Sequence, residues 1–172
     1  MVPGDCRPAQ RASRDGIAAV REHLAAIGAE ALLVPSADPH LSEYLPDRWQ
    51  GRRWLSGFTG SQATLIVAAH KAALFADSRY WEQAEAELAG SGVDLVKIPN
   101  AGSTLHLEWL ARELPEGAVV AVDGQVLGLG AASALRAALD TAGIALRTDV
   151  DLLDAVWTGR SGLPTEAVYE HE

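Results

Sequence analysis

The sequence predicts a three-layer α/β/α domain built on one mixed sheet of five or six strands. Three observations carry that prediction. Apolar runs of strand length alternate with helix-period segments along most of the chain. Two such runs, 63–68 and 72–76, are separated only by Ala69, His70 and Lys71, which is hairpin spacing and makes the sheet mixed. Ala31-Leu32-Leu33-Val34 is apolar without alternation, as a strand covered on both faces should be. With 172 residues, 48% hydrophobic and 22% charged, the chain is large enough to bury one sizeable core.

Each element has its own local reason. Residues 1–12 hold Pro3, Gly4 and Pro8 without periodicity and are expected as a disordered tail. Ser13 stands in N-cap position, Asp15 favours the positive helix end, and Ile17, Val20, Leu24 and Ile27 follow at helical spacing until Gly28. The strand over 31–34 ends at Pro35, and a polar loop runs to Pro46. A short helix is expected over 47–55, carrying Arg48, Arg52 and Arg53, and the glycines at 57 and 60 bracket a tight loop. After the hairpin, Asp77 is in N-cap position for a helix through Leu88, with Tyr80, Ala84 and Leu88 on one face. Strands over 93–98, 118–122 and 144–147 then alternate with helices opened by Ser103, spanning 131–142 and spanning 151–157. In the first of these helices Leu107, Leu110, Ala111 and Leu114 are expected to face inward. Residues 158–164 have linker composition, so 161–172 are expected as a linker or the start of a second domain.

Composition narrows the function classes. Fourteen Lys and Arg against 23 Asp and Glu give a net charge of −9, which disfavours nucleic acid and anionic lipid as partners. The Arg48, Arg52 and Arg53 cluster is too small to reverse that balance. No apolar run approaches the roughly 18–20 residues of a membrane helix. The first residues show no apolar signal core, and Cys6 is the lone cysteine, so a cytoplasmic location is expected.

Four patterns invite chemistry. His40 and Glu43 are three apart, but between Pro39 and Pro46 rather than on a helix, and the other histidines are scattered, so no metal site is expected within the chain. The 57–61 loop is not a nucleophile elbow, because Thr59 stands where the serine would be. Gly128-Leu129-Gly130 precedes a helix, but it begins several residues after its strand and Ser133 replaces the third glycine of a dinucleotide loop. Arg79 keeps two readings. Beside Tyr80 and Trp81 its planar fork suits a carboxylate or carbonyl of a ligand, and it equally suits a salt bridge to Asp77, Glu82 or Glu43.

Taken together, residues 35–44 (PSADPHLSEY), 52–61 (RRWLSGFTGS) and 77–81 (DSRYW) resemble the N-terminal domain of the Xaa-Pro aminopeptidases, the aminopeptidase P branch of the creatinase–prolidase superfamily. Order and spacing match, and Val122-Asp123 and residues 156–160 (VWTGR) also fit. The resemblance spans 13–160 and implies a creatinase-type N-terminal domain with a ribonuclease H-like motif. It implies a parent metalloprotease that releases an N-terminal residue preceding proline. The two divalent metal ions, manganese first among them, would sit in a separate C-terminal catalytic domain on Asp, Asp, His, Glu and Glu. No catalytic or metal-binding residue is then expected in these 172 residues.

The resemblance also implies roles for this domain. It would supply substrate contacts and a homodimer interface, closing over the partner's active site. Arg79 matches the arginine that contacts substrate in the family and becomes the first substrate-binding candidate. His40, Glu43, Tyr44 and Phe58 of the 57–61 loop are candidates for shaping the same surface. The implied partners are a peptide with proline in second position, the catalytic domain and a second copy, with no nucleic acid and no membrane. The chain departs from the commoner motif at Thr59 for Asp, Ser78 for Gly and Trp81 for Phe, and Thr59 removes a charge, which bears on substrate preference. The competing class is a stand-alone binding or dimerisation module of the same fold without peptidase activity. A creatinase or dipeptidase chemistry is disfavoured by the long 35–44 motif.

Overall fold

The structure is a computed structural model and describes residues 8–163, 165–167 and 170. Six strands form one sheet: β1 (Ala31–Val34), β2 (Thr64–Ala68), β3 (Ala72–Asp77), β4 (Asp94–Ile98), β5 (Val119–Ala121) and β6 (Ala145–Arg147). Their order is β4-β3-β2-β1-β5-β6. β2 runs antiparallel to both neighbours, while β3–β4, β1–β5 and β5–β6 are parallel. The meander β1-β2-β3, extended by parallel β5 and β6, is the ribonuclease H-like motif expected, and β4 adds a strand at the far edge.

Helices cover both faces because the strand side chains alternate. Leu32, Val34, Leu65 and Leu74 pack with α1 (Pro8–Ile27), α2 (Gly51–Ser56), α3 (Trp81–Leu88) and α6 (Leu152–Val156). Leu33, Ile66, Phe75 and Val120 pack with α4 (Leu105–Glu113) and α5 (Leu129–Thr141). With β1, β2 and β3 buried on both sides, the apolar runs 31–34, 65–68 and 72–76 have their physical reason.

Several local expectations are corrected. α1 begins at Pro8, so residues 8–12 are helical rather than tail, and residues 1–7 lie outside the described ones. Proline is well suited to a first helical turn, where its missing N–H costs no bond. Ser13 is buried inside α1 rather than capping it. The expected 47–55 helix is two pieces, a 3₁₀ turn Asp47–Trp49 and α2. Gly51 sits at the junction because any side chain there would run into Leu153 of α6. α3 begins at Trp81 with Tyr80 in the cap position, and Asp77 instead completes β3. In α4 Leu107 and Leu110 face inward as expected, Trp109 joins them, Leu114 is half-buried, and Ala111 faces solvent. Beyond Arg160 the described residues form neither helix nor strand, and Pro164, Val168, Tyr169, His171 and Glu172 lie outside them.

The register places five strand ends and one strand start on one edge. β1, β3, β4, β5 and β6 finish there, and β2 begins there. The loops after β1, before β2 and after β3 therefore converge. The crevice outside the carboxyl ends of such strands is the usual ligand position in α/β sheets.

Candidate functional site

Asp77, the last residue of β3, is 4% exposed in its side chain, yet it holds an arginine that is 61% exposed. Arg79 donates from Nε to Asp77 Oδ1 at 2.9 Å and from Nη2 to Oδ2 at 2.8 Å. The Arg79 backbone N–H donates to the same Oδ1 at 3.1 Å. These hydrogen bonds, led by those from the Arg79 side chain, hold the Asp77 carboxyl below the usual carboxylate range. Of the three acids considered for the Arg79 salt bridge, the structure pairs it with Asp77. The guanidinium lies 5.2 Å from the Tyr80 ring centroid, and its Nη1 takes no hydrogen bond among the described residues. One side of the fork is thus committed to the protein and the other is open to a ligand's carbonyl or carboxylate.

Behind Arg79 lies the 57–61 loop. Tyr80 Oη and Ser61 Oγ share a hydrogen bond of 2.7 Å. Tyr80 meets Phe58 edge-on, with centroids 5.9 Å apart. Phe58 is fully buried and packs against Tyr80, so it could shape the edge only through Tyr80 and not by touching a ligand itself. Gly57 terminates α2 with φ of +76°, which glycine adopts without strain, and its N–H reaches the Arg53 carbonyl at 2.8 Å. Thr59 donates from its backbone N–H to Glu87 Oε2 at 2.8 Å and from its hydroxyl to Oε1 at 2.7 Å. Burial would raise the Glu87 carboxyl, but the Thr59 and Gln83 hydrogen bonds outweigh it and hold it low.

The sequence reading passed over Arg52. It is 3% exposed, donates to the Gly60 carbonyl at 2.6 Å and the Phe58 carbonyl at 3.4 Å, and lies over the Phe58 ring at 5.0 Å. Burial pushes its guanidinium down to about 10.

The loop after β1 is built differently. Asp38 is buried, and its Oδ1 accepts the backbone N–H groups of His40 and Ser42 at 3.0 and 2.9 Å. This turn forces Leu41 to φ of +55°, unfavourable for a leucine, and displays it 65% exposed, with Tyr44 80% exposed. His40 and Glu43 are also exposed. No hydrogen bond, ion pair or ring contact joins His40, Glu43 or Tyr44 to Arg79 among the described residues. They share the edge with Arg79 but do not form one cluster with it. Ser36 ties this loop to the start of β2, donating to the Ala63 carbonyl at 2.7 Å.

A second network ties Arg160 and α6 to Arg48 of the 3₁₀ turn. Arg160 donates to Asp151 Oδ2 at 2.6 Å and to the Arg48 carbonyl at 3.0 Å. Arg48 donates to Asp154 at 3.0 Å and to the Ser161 carbonyl at 3.0 Å. Both guanidinium groups lie 5.4 Å from the Trp49 ring centroid, and Trp157 stacks on Trp54 at 5.1 Å. Asp123, against this network, is pushed up by burial and by Asp151.

Among the described residues no group of three or more His, Cys, Asp or Glu side chains is placed to hold a metal ion. No helix among them is long and apolar enough to cross a membrane.

Residues 17–160 match the family model described as the Creatinase/Prolidase N-terminal domain. The chain is 32% identical over 155 residues to human Xaa-Pro aminopeptidase 2, covering 89% of this chain and 23% of that protein. It is 37% identical over 139 residues to Xaa-Pro aminopeptidase app-1 of Caenorhabditis elegans, covering 80% of this chain and 23% of that protein. It superposes with a TM-score of 0.79 and 33% identity on the crystal structure of X-prolyl aminopeptidase from C. elegans, described as a cytosolic enzyme with a di-nuclear active site, covering 88% of this chain and 26% of that one. The chain thus spans about a quarter of the length of these relatives. Fold, motifs and family match agree, and the chain belongs to the creatinase/prolidase N-terminal domain family.

Proposed function

We propose that this chain works as the N-terminal, non-catalytic domain of a cytosolic Xaa-Pro aminopeptidase. In this reading the convergent loop edge, centred on Arg79, faces a peptide held in a separate catalytic domain. The observation that carries it is the half-committed Arg79 fork: a buried Asp77 fixes one side and leaves the other exposed on the edge where three loops meet. A fork already held in place loses little side-chain freedom on binding, so its hydrogen bonds to a peptide carbonyl or carboxylate are retained as affinity.

Bond cleavage belongs to the catalytic domain of that reading, with two divalent metal ions and manganese as the first candidate. The described residues hold no metal-binding group, and in this reading the domain's part is to bind and orient the peptide. The substrate is a peptide with proline in second position. A homodimer places this edge over the partner's site. Similarity to Xaa-Pro aminopeptidases over most of the chain supports these assignments, and the cytosolic C. elegans enzyme supports the location.

The test is Arg79→Ala in the full-length enzyme. One charge-assisted hydrogen bond is worth about 1.5–3 kcal/mol, so kcat/KM for an Xaa-Pro peptide should fall roughly 10- to 100-fold with metal content unchanged. Wild-type kinetics in the variant would refute the role of Arg79. The 172-residue chain alone, supplied with manganese, should show no hydrolysis of such peptides, and clear turnover would overturn the non-catalytic reading.

A further inference from the structure

Arg52 stands out because, among the described residues, no carboxylate touches it directly; Glu87 acts on it only through space. It is 3% exposed and takes part in no ion pair among them, and its Nε has no hydrogen-bond partner there. A buried cation with no direct carboxylate contact is costly, and apolar residues of similar volume commonly replace buried charges without loss of stability. Core stability is therefore a poor reason for this residue.

Its contacts supply another reason. The guanidinium spans two carbonyls of one tight loop, those of Phe58 and Gly60, at 3.4 and 2.6 Å, and its Cζ lies 5.0 Å from the Phe58 ring centroid. Phe58 supports Tyr80 edge-on, and Ser61 of the same loop holds the Tyr80 hydroxyl at 2.7 Å. The Arg79 guanidinium lies over the Tyr80 ring, 5.2 Å from its centroid. A neutral hydroxyl or amide lacks the reach and the planar donor set to hold both carbonyls, and a lysine offers a point charge without the fork. Arg79 is thus held at two points, by Asp77 directly and by Tyr80 through the loop.

We infer that Arg52 is a positioning residue for the peptide-facing edge, locking the 57–61 loop so that Tyr80 holds the Arg79 fork in its binding orientation. This rests on the proposed function for its consequence in catalysis, but not for the structural effect itself.

The test compares Arg52→Met and Arg52→Lys with wild type by two readouts. In the ¹⁵N-labelled 172-residue chain, the Arg79 Nε–Hε signal and the Gly60 and Tyr80 amides should shift or broaden in the folded Met variant while the β1–β3 amides stay in place. The Lys variant should show a smaller change at the same signals. In the full-length enzyme, KM for an Xaa-Pro peptide should rise roughly tenfold in the Met variant, with a smaller change in kcat and partial rescue by Lys. A folded Met variant whose Arg79 signal is unmoved overturns the inference. If the Met variant does not fold, the Lys variant decides by the same signal. Should wild-type enzyme fail to cleave Xaa-Pro peptides, the proposed function falls, and the nuclear magnetic resonance comparison still decides the role of Arg52.

Discussion

Gly60→Ala is the sharpest perturbation of the edge. A Cβ at Gly60 would lie 2.8 Å from Tyr80 Cδ1 and 2.9 Å from Phe58 Cε1, and closer still to Phe58 Cζ. Both neighbours are rings, and neither is a flexible chain end. Phe58 is fully buried and pinned by Arg52, and Tyr80 is tied to Ser61. The clash must therefore be relieved by moving the loop, against the Arg52–Gly60 hydrogen bond of 2.6 Å. The Gly60 backbone does not occupy the left-handed region, so the penalty is steric rather than conformational. Overpacking of this kind costs about 1–3 kcal/mol, which for a chain of this size lowers the melting temperature by roughly 2–12 °C. The assay is calorimetric melting of Gly60→Ala beside Gly130→Ala. Gly130 lies in α5 with nothing within 4 Å of its would-be Cβ, so alanine there should stabilise by about 0.5–1 kcal/mol through helix propensity. Phe58→Leu combined with Gly60→Ala should recover part of the loss, since only the Tyr80 contact then remains tight. Gly60→Ala melting with wild type would refute the rigid Arg52–Phe58–Tyr80 stack.

Two further outcomes probe charge. Thr59→Asp replaces two donors' worth of support at Glu87 with one backbone N–H and a second carboxylate. It should destabilise by about 1 kcal/mol at pH 7, with the Glu87 carboxyl titrating higher and the loss shrinking near pH 4, as read in urea melts at the two pH values. Asp123 has its folded carboxyl pushed up, so its ionisation works against the fold at neutral pH and this penalty fades on acidification. Asp123→Asn keeps an acceptor for the Gln125 N–H and should raise the melting midpoint at pH 7 more than at pH 4; a larger gain at pH 4 would refute the reading. In Asp77 and Glu87 the folded carboxyls are lowered, so their contribution is present above about pH 4 and lost as pH falls through their folded values.

The sheet was legible because hydrophobic content is local. Ala31–Val34 and the runs 65–68 and 72–76 announce double burial by having no polar position at all. Helix starts were less legible. Pro8 reads as a breaker although it suits a first turn, and Asp77 reads as a cap although its carboxylate turns back to Arg79. The motif residues found the edge but not the division of labour within it. Phe58 looks like a contact residue and is a buried prop, whereas Arg52 looks like solvated charge and is the most buried arginine of the edge. Nothing in linear sequence distinguishes Arg52 from Arg53; the difference is which side of a six-residue helix faces the loop that follows. The Arg48–Arg160 contact joins residues 112 apart, beyond the reach of any spacing rule.

That last contact has a consequence for how the domain is carried. Arg160 is locked between Asp151, the Arg48 carbonyl and two indole rings, and Arg48 in turn grips the Ser161 carbonyl. Residues 160 and 161 are therefore bolted to the body of the domain. A flexible tether would let the loop edge sample many orientations and dilute its encounter with anything attached beyond it. In the proposed function, this fixed point lies beside the loop that follows β1, on the same edge of the sheet as Arg79, and would hold that edge at one heading toward a catalytic domain.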